Sequence, residues 1–439
     1  MRDTIFALSS GAPPAGVAVI RVSGTQAWQV FQAFGISQGV ARRATRRRLL
    51  TDDGDLLDEA IVISFPAPYS FTGENCLELQ IHGGRAVISA VLGRLSRIAS
   101  FRLAEAGEFS RRAFENGKMD LVEIEGLADL IHAETEMQRR LAVEQSSGGL
   151  SALYYAWADR ITRARALIEA ELDFADEDDI PGSVSHLVWP DLEGLLLDVT
   201  RHLEDGRTAE IIRDGLKVVI AGPPNAGKST LMNRLAERDV AIVTDVAGTT
   251  RDVLHVDLDM DGFSVRLYDT AGLRSTDDRI ERIGIDRARI KIDEADIILY
   301  LDEIGNDSLS KQNFVTQAKI LHIGTQADRH RQDDVATSYD LHISAATGQG
   351  LAELRQLLLS DVGFIGERAA FSMPARERQR QNLRNMVEDL GLALIKTNES
   401  LDIRAEYLRR ASQALERMTG RIDVEDLLGV IFSEFCVGK

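Results

Sequence analysis

The chain has 439 residues, 44% of them hydrophobic, and a formal net charge of −18. That length leaves room for about two to four domains with cores of their own. The acidic balance excludes a protein that merely coats nucleic acid, so any RNA contact must be local or shared with a partner. Two cysteines far apart in sequence, Cys76 and Cys436, rule out a disulfide framework and a four-cysteine zinc site, and point to a reducing compartment. No apolar run approaches the ~18 residues needed to span a bilayer, and the first residues lack a signal-peptide core. A cytoplasmic location is expected, or an organelle after removal of a transit peptide.

Residues 1–117 mix strand and helix signals, as an α+β domain does. Gly16–Val22 and Glu59–Phe65 are β-rich, and Cys76–Ile81 alternates with Leu77, Leu79 and Ile81 on one face. His82-Gly83-Gly84 breaks that strand, and Ala86–Ile98 reads as an amphipathic helix. Arg42, Arg43, Arg46, Arg47 and Arg48 form a local basic patch, readable as an RNA contact or as a solvated surface strand or loop. Residues 118–214 are helical, with Leu121, Ile124, Leu127, Ala128 and Ile131 at helical spacing. Asp173–Asp179 and Pro181-Gly182 break that stretch into separate helices.

Residues 215–365 alternate strand and helix, the pattern of a parallel-sheet α/β domain. Residues 366–439 are helical again. The fold class expected is multidomain α/β and α: an N-terminal α+β domain and a P-loop α/β domain inserted into a discontinuous helical domain. Two separate helical bundles remain the alternative, which periodicity alone does not exclude.

Gly222 to Ser229 fits GxxxxGK[ST] between the strand Lys217–Ala221 and a helix from Lys228 to Glu237. Backbone N–H groups of such a loop surround phosphate oxygens at a helix N-terminus. Lys228 would reach the outer phosphates, and Ser229 would ligate Mg²⁺. Asp261-Gly262 joins two alternating runs, a hairpin signal. It leads to Asp269-Thr270-Ala271-Gly272, where Asp269 can hold Mg²⁺ through water and Gly272 can offer its N–H to a γ-phosphate. Upstream, Gly248-Thr249-Thr250-Arg251 supplies a switch, because Thr250 completes the Mg²⁺ shell only with γ-phosphate present. In this order the motifs indicate a GTPase.

Base choice falls to Asp328, whose carboxylate can accept two N–H bonds from guanine, with Ser344, Ala345 and Ala346 supporting from a second loop. Thr325 and Gln326 stand where GTPases usually carry Asn and Lys, which should loosen binding. Leu273 cannot polarise water. Asn225 could place a monovalent cation against the β/γ oxygens. Glu281 could orient the water, though from spacing alone it reads as a solvated helix carboxylate.

The whole chain resembles the MnmE (TrmE) family of tRNA modification GTPases. The resemblance is carried by Arg21-Val-Ser-Gly24, Phe71-Thr-Gly-Glu74, Leu77–Gln80, His82–Gly84, Gly107–Phe114, Pro224–Ser229, Ala247–Asp252, Asp423–Gly429 and Phe435-Cys-Val-Gly-Lys439. It implies dimerisation through the N-terminal domain, which would bind 5-formyltetrahydrofolate at Arg21, Glu78 and Lys118. It implies K⁺ held by Asn225 with Thr244, Val246 and Thr249, Mg²⁺ held by Ser229 and Thr250, and Glu281 as the water-orienting group.

The GTP contacts it implies are Asn225, Ala226, Gly227, Lys228, Ser229 and Thr230, then Thr244, Asp245, Val246, Ala247, Gly248, Thr249 and Thr250. Asp269, Thr270, Ala271 and Gly272, with Asp328, Ser344, Ala345 and Ala346, complete the set. The partner implied is the FAD-binding MnmG (GidA), in a heterotetramer. The reaction implied places an aminomethyl-type group, carboxymethylaminomethyl, on C5 of the tRNA wobble uridine. Val437 replaces the family's usual isoleucine. The resemblance gives Cys436 a role in that chemistry; as a residue it reads equally as a nucleophile or as a small group docking the tail. A GTP switch for ribosome assembly, without modification chemistry, is the rival reading; it would want a basic domain after the GTPase, and the sequence has none.

Overall fold

A computed structural model describes residues 3–173, 188–238, 240–241, 255–269, 290–305, 316–330, 339–366, 371–422, 428–429, 431–432, 435 and 438. The chain divides into two compact units, one of residues 1–128, 154–159 and 412–439, the other of residues 129–153 and 160–411.

The first unit is built on a six-stranded sheet of β1 (Thr4–Leu8), β2 (Ala15–Ser23), β3 (Thr45–Leu50), β4 (Leu56–Phe65), β5 (Cys76–Gly83) and β6 (Phe101–Leu103). The order is β3-β4-β5-β2-β1-β6, antiparallel except where β6 joins β1. Alternation decides the buried face: Leu77, Leu79 and Ile81 of β5 are all buried, as are Ile20 and Val22 of β2 beside them. Helices α1 (Gln29–Ala33) and α2 (Arg85–Leu95) cover this face with Val30, Phe31, Ile88, Val91 and Leu95. Helix α2 ends three residues before the expected Ile98, because the chain turns through Ser96–Ser100 to begin β6.

Further along come α3 (Glu108–Glu115) and α4 (Leu121–His132). Leu121, Ile124 and Ala128 of α4 share a cluster with Ile431, Phe432 and Phe435 from the end of the chain. The Ser9 hydroxyl donates to the Gly438 carbonyl at 2.7 Å. The residues that follow β1 and those near the end of the chain are thus joined.

In the second unit, α5 (Glu136–Ser146) opens on a capping box between Thr135 and Gln138. Of the long helices that follow, α6 (Gly149–Asp173) and Leu401–Thr419 are each divided between the units, while α7 (Val188–Asp214) and Glu377–Ile395 belong wholly to the second. Leu192, Leu195 and Val199 are buried along α7, and Leu383, Met386, Leu390 and Ala393 along 377–395, each set at the spacing of one helical face. Arg380 bridges the two helices to Glu210 at 2.7 Å. The breaks expected at residues 174–179 and 181–182 lie outside the described residues.

The nucleotide-binding sheet of this unit has the order β13-β12-β11-β7-β10-β9-β8. Its strands are β7 (Leu216–Ala221), β8 (Val240–Ala241), β9 (His255–Met260), β10 (Phe263–Asp269), β11 (Ile297–Glu303), β12 (Lys319–Thr325) and β13 (Leu341–His342). β7 and β11 are buried on both faces, as continuous apolar runs in a parallel sheet should be. The Asp261-Gly262 hairpin forms between β9 and β10, both residues at positive φ (53° and 86°), as a type I′ turn demands.

Candidate nucleotide site

β7 lies between β11 and β10, and all three run parallel, so their C-terminal ends open on one edge of the sheet. Ligands bind at such edges in open α/β folds. Gly222 leaves β7 at φ 144°, where an added Cβ would lie 2.2 Å from the Leu301 carbonyl oxygen. Only glycine permits that approach. The loop turns again through Asn225 (φ 67°) and Gly227 (φ 88°) and enters α8 (Lys228–Arg238).

The Lys228 ammonium reaches back over the loop and donates to the carbonyls of Gly222 and Pro223, at 3.0 and 2.7 Å. A triphosphate would compete for those donors. The β7/β10 register sets Asp269 opposite Ile220, one residue short of the end of β7. The Ser229 hydroxyl then donates to the Asp269 carboxylate at 2.6 Å. One hydroxyl and one carboxylate, both hard oxygen donors beside a phosphate loop, fit Mg²⁺, which keeps several waters and takes its remaining ligands from phosphates.

A cavity of about 230 Å³ joins this loop to the base-recognition segments. Asn225, Ala226, Gly227 and Thr230 line one side, and Asp328, Ser344, Ala345 and Ala346 line the other. The structure therefore brings together the predicted residues of four separate segments. The buried Ser344 hydroxyl beside Asp328 holds that carboxyl below its ordinary range, so it stays an acceptor pair. Thr325 is buried and gives its hydroxyl to the Asp302 carbonyl at 3.1 Å.

Gln326, in the left-handed region at φ 61°, lines the cavity with Arg329, which donates to the Gln326 side chain. Sequence reasoning missed Arg329. Its only signal was its place directly after Asp328. Thr244, Asp245, Val246, Ala247, Gly248, Thr249, Thr250, Thr270, Ala271, Gly272, Glu281 and Cys436 lie outside the described residues.

In the first unit, Arg21 and Glu78 are cross-strand partners on β2 and β5 and form an ion pair at 3.0 Å. The Arg21 guanidinium lies 5.3 Å from the Phe71 ring centre and 5.8 Å from that of Phe109. Lys118 is exposed, and its stem passes close to Gly73, two residues beyond Phe71. Phe71 and Phe109 sat inside recognisable motifs, but their stacking on Arg21 had no local signal.

Behind them is a buried polar network. Arg112 donates to the Asp3 carbonyl and to Glu74 and Glu108, at 2.9, 3.0 and 2.9 Å. Ser23 donates to Glu74 at 2.7 Å. Burial alone would raise the Glu108 carboxyl, but hydrogen bonds from Arg102, the Glu105 amide and Arg112 outweigh it and hold it down to about 2.

Together the phosphate loop, the Ser229–Asp269 pair and the base cavity define a P-loop GTP hydrolase. Residues 121–436 match the profile of the MnmE helical domain, and residues 4–118 match that of the GTP-binding protein TrmE N-terminus. The chain belongs to the MnmE family. Proteins called tRNA modification GTPase MnmE are similar to it over its entire length. Those of Rhizobium etli (strain CIAT 652) and Rhizobium meliloti (strain 1021) are each 54% identical, covering 100% of this chain and 99% of theirs. That of Sinorhizobium medicae (strain WSM419) is 55% identical with the same coverage. The G domain of the T. maritima FeoB iron transporter is 23% identical over 33% of this chain and 97% of its own, at a TM-score of 0.22. That score adds nothing to what the sheet order shows. Among the described residues, no helix is long and apolar enough to cross a membrane.

Proposed function

We propose that this GTP hydrolase acts in tRNA modification, in the cytoplasm, as a K⁺-dependent homodimer. With the FAD-binding partner MnmG it would install a carboxymethylaminomethyl-type group on C5 of the wobble uridine. One observation carries the reading: the Ser229–Asp269 pair at a phosphate loop, in a chain matching tRNA modification GTPases from end to end. The domain assignment that goes with it is 1–117 for folate binding and dimerisation and 215–365 for GTP hydrolysis. Residues 118–214 and 366–439 would make the helical domain.

In hydrolysis, a water oxygen bonds to the γ-phosphorus while the bond to the β,γ-bridging oxygen breaks, giving GDP and phosphate. Lys228 leaves the loop carbonyls for the outer phosphates, and the loop N–H groups hold the others. Ser229 and Asp269, with Thr250, would hold Mg²⁺. The Asn225 side-chain oxygen, with oxygens of Thr244, Val246 and Thr249, would hold K⁺; these cations neutralise charge on the phosphates. Glu281 would orient the water. In the first unit, Glu78 would hydrogen-bond the pterin edge of 5-formyltetrahydrofolate, and Arg21 and Lys118 would face its carboxylates. Cys436 would serve the tRNA chemistry.

Wobble nucleosides from cells lacking the chain, analysed by mass spectrometry, test this. The modified uridine should vanish, return with the native chain, and stay absent with Lys228→Ala. Its persistence in the deleted strain would overturn the reading.

A further inference from the structure

Five arginines fall within residues 42–48 of a chain whose net charge is −18, and no acidic residue stands between Asp3 and Asp52. Three of them lie on β3, the edge strand of the first unit's sheet. Arg46 and Arg48 point to the same side, with side chains 76% and 67% exposed. Two residues of strand set them about 7 Å apart, a spacing that neighbouring phosphates of one strand can follow. A single carboxylate, Glu59 on β4, serves both guanidiniums, so the patch keeps an excess of positive charge.

Arg42 sits in the left-handed region at φ 59°, unusual for a residue with a Cβ. Its amide donates to the Ser64 carbonyl at 2.8 Å and its guanidinium to the Tyr69 carbonyl. The second bond ties it to the backbone of Tyr69, a residue that is 69% exposed. Strain held in place by specific bonds is a mark of a used surface.

We propose that this arginine edge is a docking surface for the phosphate backbone of RNA, with Tyr69 as a platform for an unpaired base. The proposal rests on the tRNA reading above. Arginine suits it better than lysine, because its planar fork grips phosphate oxygens in pairs. Exposed aromatic rings beside cations are how single-stranded RNA is held without regard to sequence. A second copy docked edge to edge would set arginine against arginine. Charges on an edge strand also deter unwanted pairing, and the test separates that role.

Anisotropy of a fluorescein-labelled tRNA transcript, titrated with the full chain between 50 and 200 mM KCl, is the measurement. Arg43→Gln/Arg46→Gln/Arg48→Gln should weaken binding at least about tenfold at the lower salt. It should also flatten the slope of log K against log salt by about 2. Tyr69→Ala should weaken binding with the slope unchanged, because stacking releases no counterions. GTP turnover should stay native in both. If the triple variant fails to fold by circular dichroism, Arg48→Gln alone should flatten the slope by about 1. Native affinity and slope in a folded variant would overturn the proposal and leave the tRNA reading standing. Association of a variant beyond the native assembly, with native RNA binding, would overturn it in favour of edge protection. No RNA binding by the native chain would overturn both the surface and direct RNA contact by this protein.

Discussion

Ser229 and Asp269, 40 residues apart, are joined by a 2.6 Å hydrogen bond from hydroxyl to carboxylate. The bond exists because the parallel register of β7 and β10 carries Asp269 to the mouth of the phosphate loop. Asp269→Asn removes the charge and keeps the shape. GTP turnover should fall about 100-fold or more, as when a charge-stabilising group is lost from a transition state, and the Mg²⁺ concentration for half-maximal rate should rise. A GTPase rate within twofold of native across a Mg²⁺ titration would show that Asp269 only braces Ser229.

Asn225 projects from the same loop at positive φ and is exposed to the cavity. GTP turnover should be about tenfold or more faster in KCl than in NaCl, since a bound cation would offset phosphate charge. Asn225→Ala should erase the difference. Equal rates of the native chain in the two salts would remove the cation from the mechanism.

Asp328 faces the cavity with Ser344 behind it, while Thr325 and Gln326 replace the usual Asn and Lys. Thr325→Asn/Gln326→Lys should tighten a fluorescent GDP analogue by about three- to tenfold, that is ~0.7 to 1.4 kcal/mol. No gain would indicate that the Arg329–Gln326 contact already supplies the platform those residues provide elsewhere.

Glu108 ties stability to pH. Its folded carboxyl titrates near 2 against an ordinary 4.5, so the unfolded chain binds the proton more readily. The stabilisation is complete above pH 4.5 and lost as pH falls towards 2. A shift of that size corresponds to ~3 kcal/mol at most, because solvent screening reduces it. Thermal melts from pH 6 to 3 should show a steeper loss for the native chain than for Glu108→Gln, which should be less stable at pH 6. Parallel curves would place the acid sensitivity in other carboxylates.

The nucleotide site was legible because its signals are local. Gly222, Lys228, Ser229 and the Asp261-Gly262 turn each act within a few residues, and β5 announces itself by alternation. What escaped was long-range or without apolar pattern. β3 reads Thr-Arg-Arg-Arg-Leu-Leu, a pattern that left a surface strand and a loop equally open until Leu49 packs inward. The Arg112–Glu74–Ser23 network joins residues 38 and 51 apart, and nothing in any one of those segments names its partners. Arg21 was readable as a surface charge; only the register with β5 reveals that Glu78 holds it in place.

The bond between Ser9 and Gly438 spans 429 positions. A ribosome releases the chain from its beginning, and domains tend to fold as they emerge. All of the unit holding the nucleotide sheet lies between residues 129 and 411, so its fold draws on none of residues 412–439. The other unit must wait, because Phe432, Phe435 and Gly438 complete its packing. A polypeptide that stopped near residue 411 would thus hold every residue of the unit with the phosphate loop, while the other unit would have its six strands but lack the segment that packs on α4 and bonds Ser9.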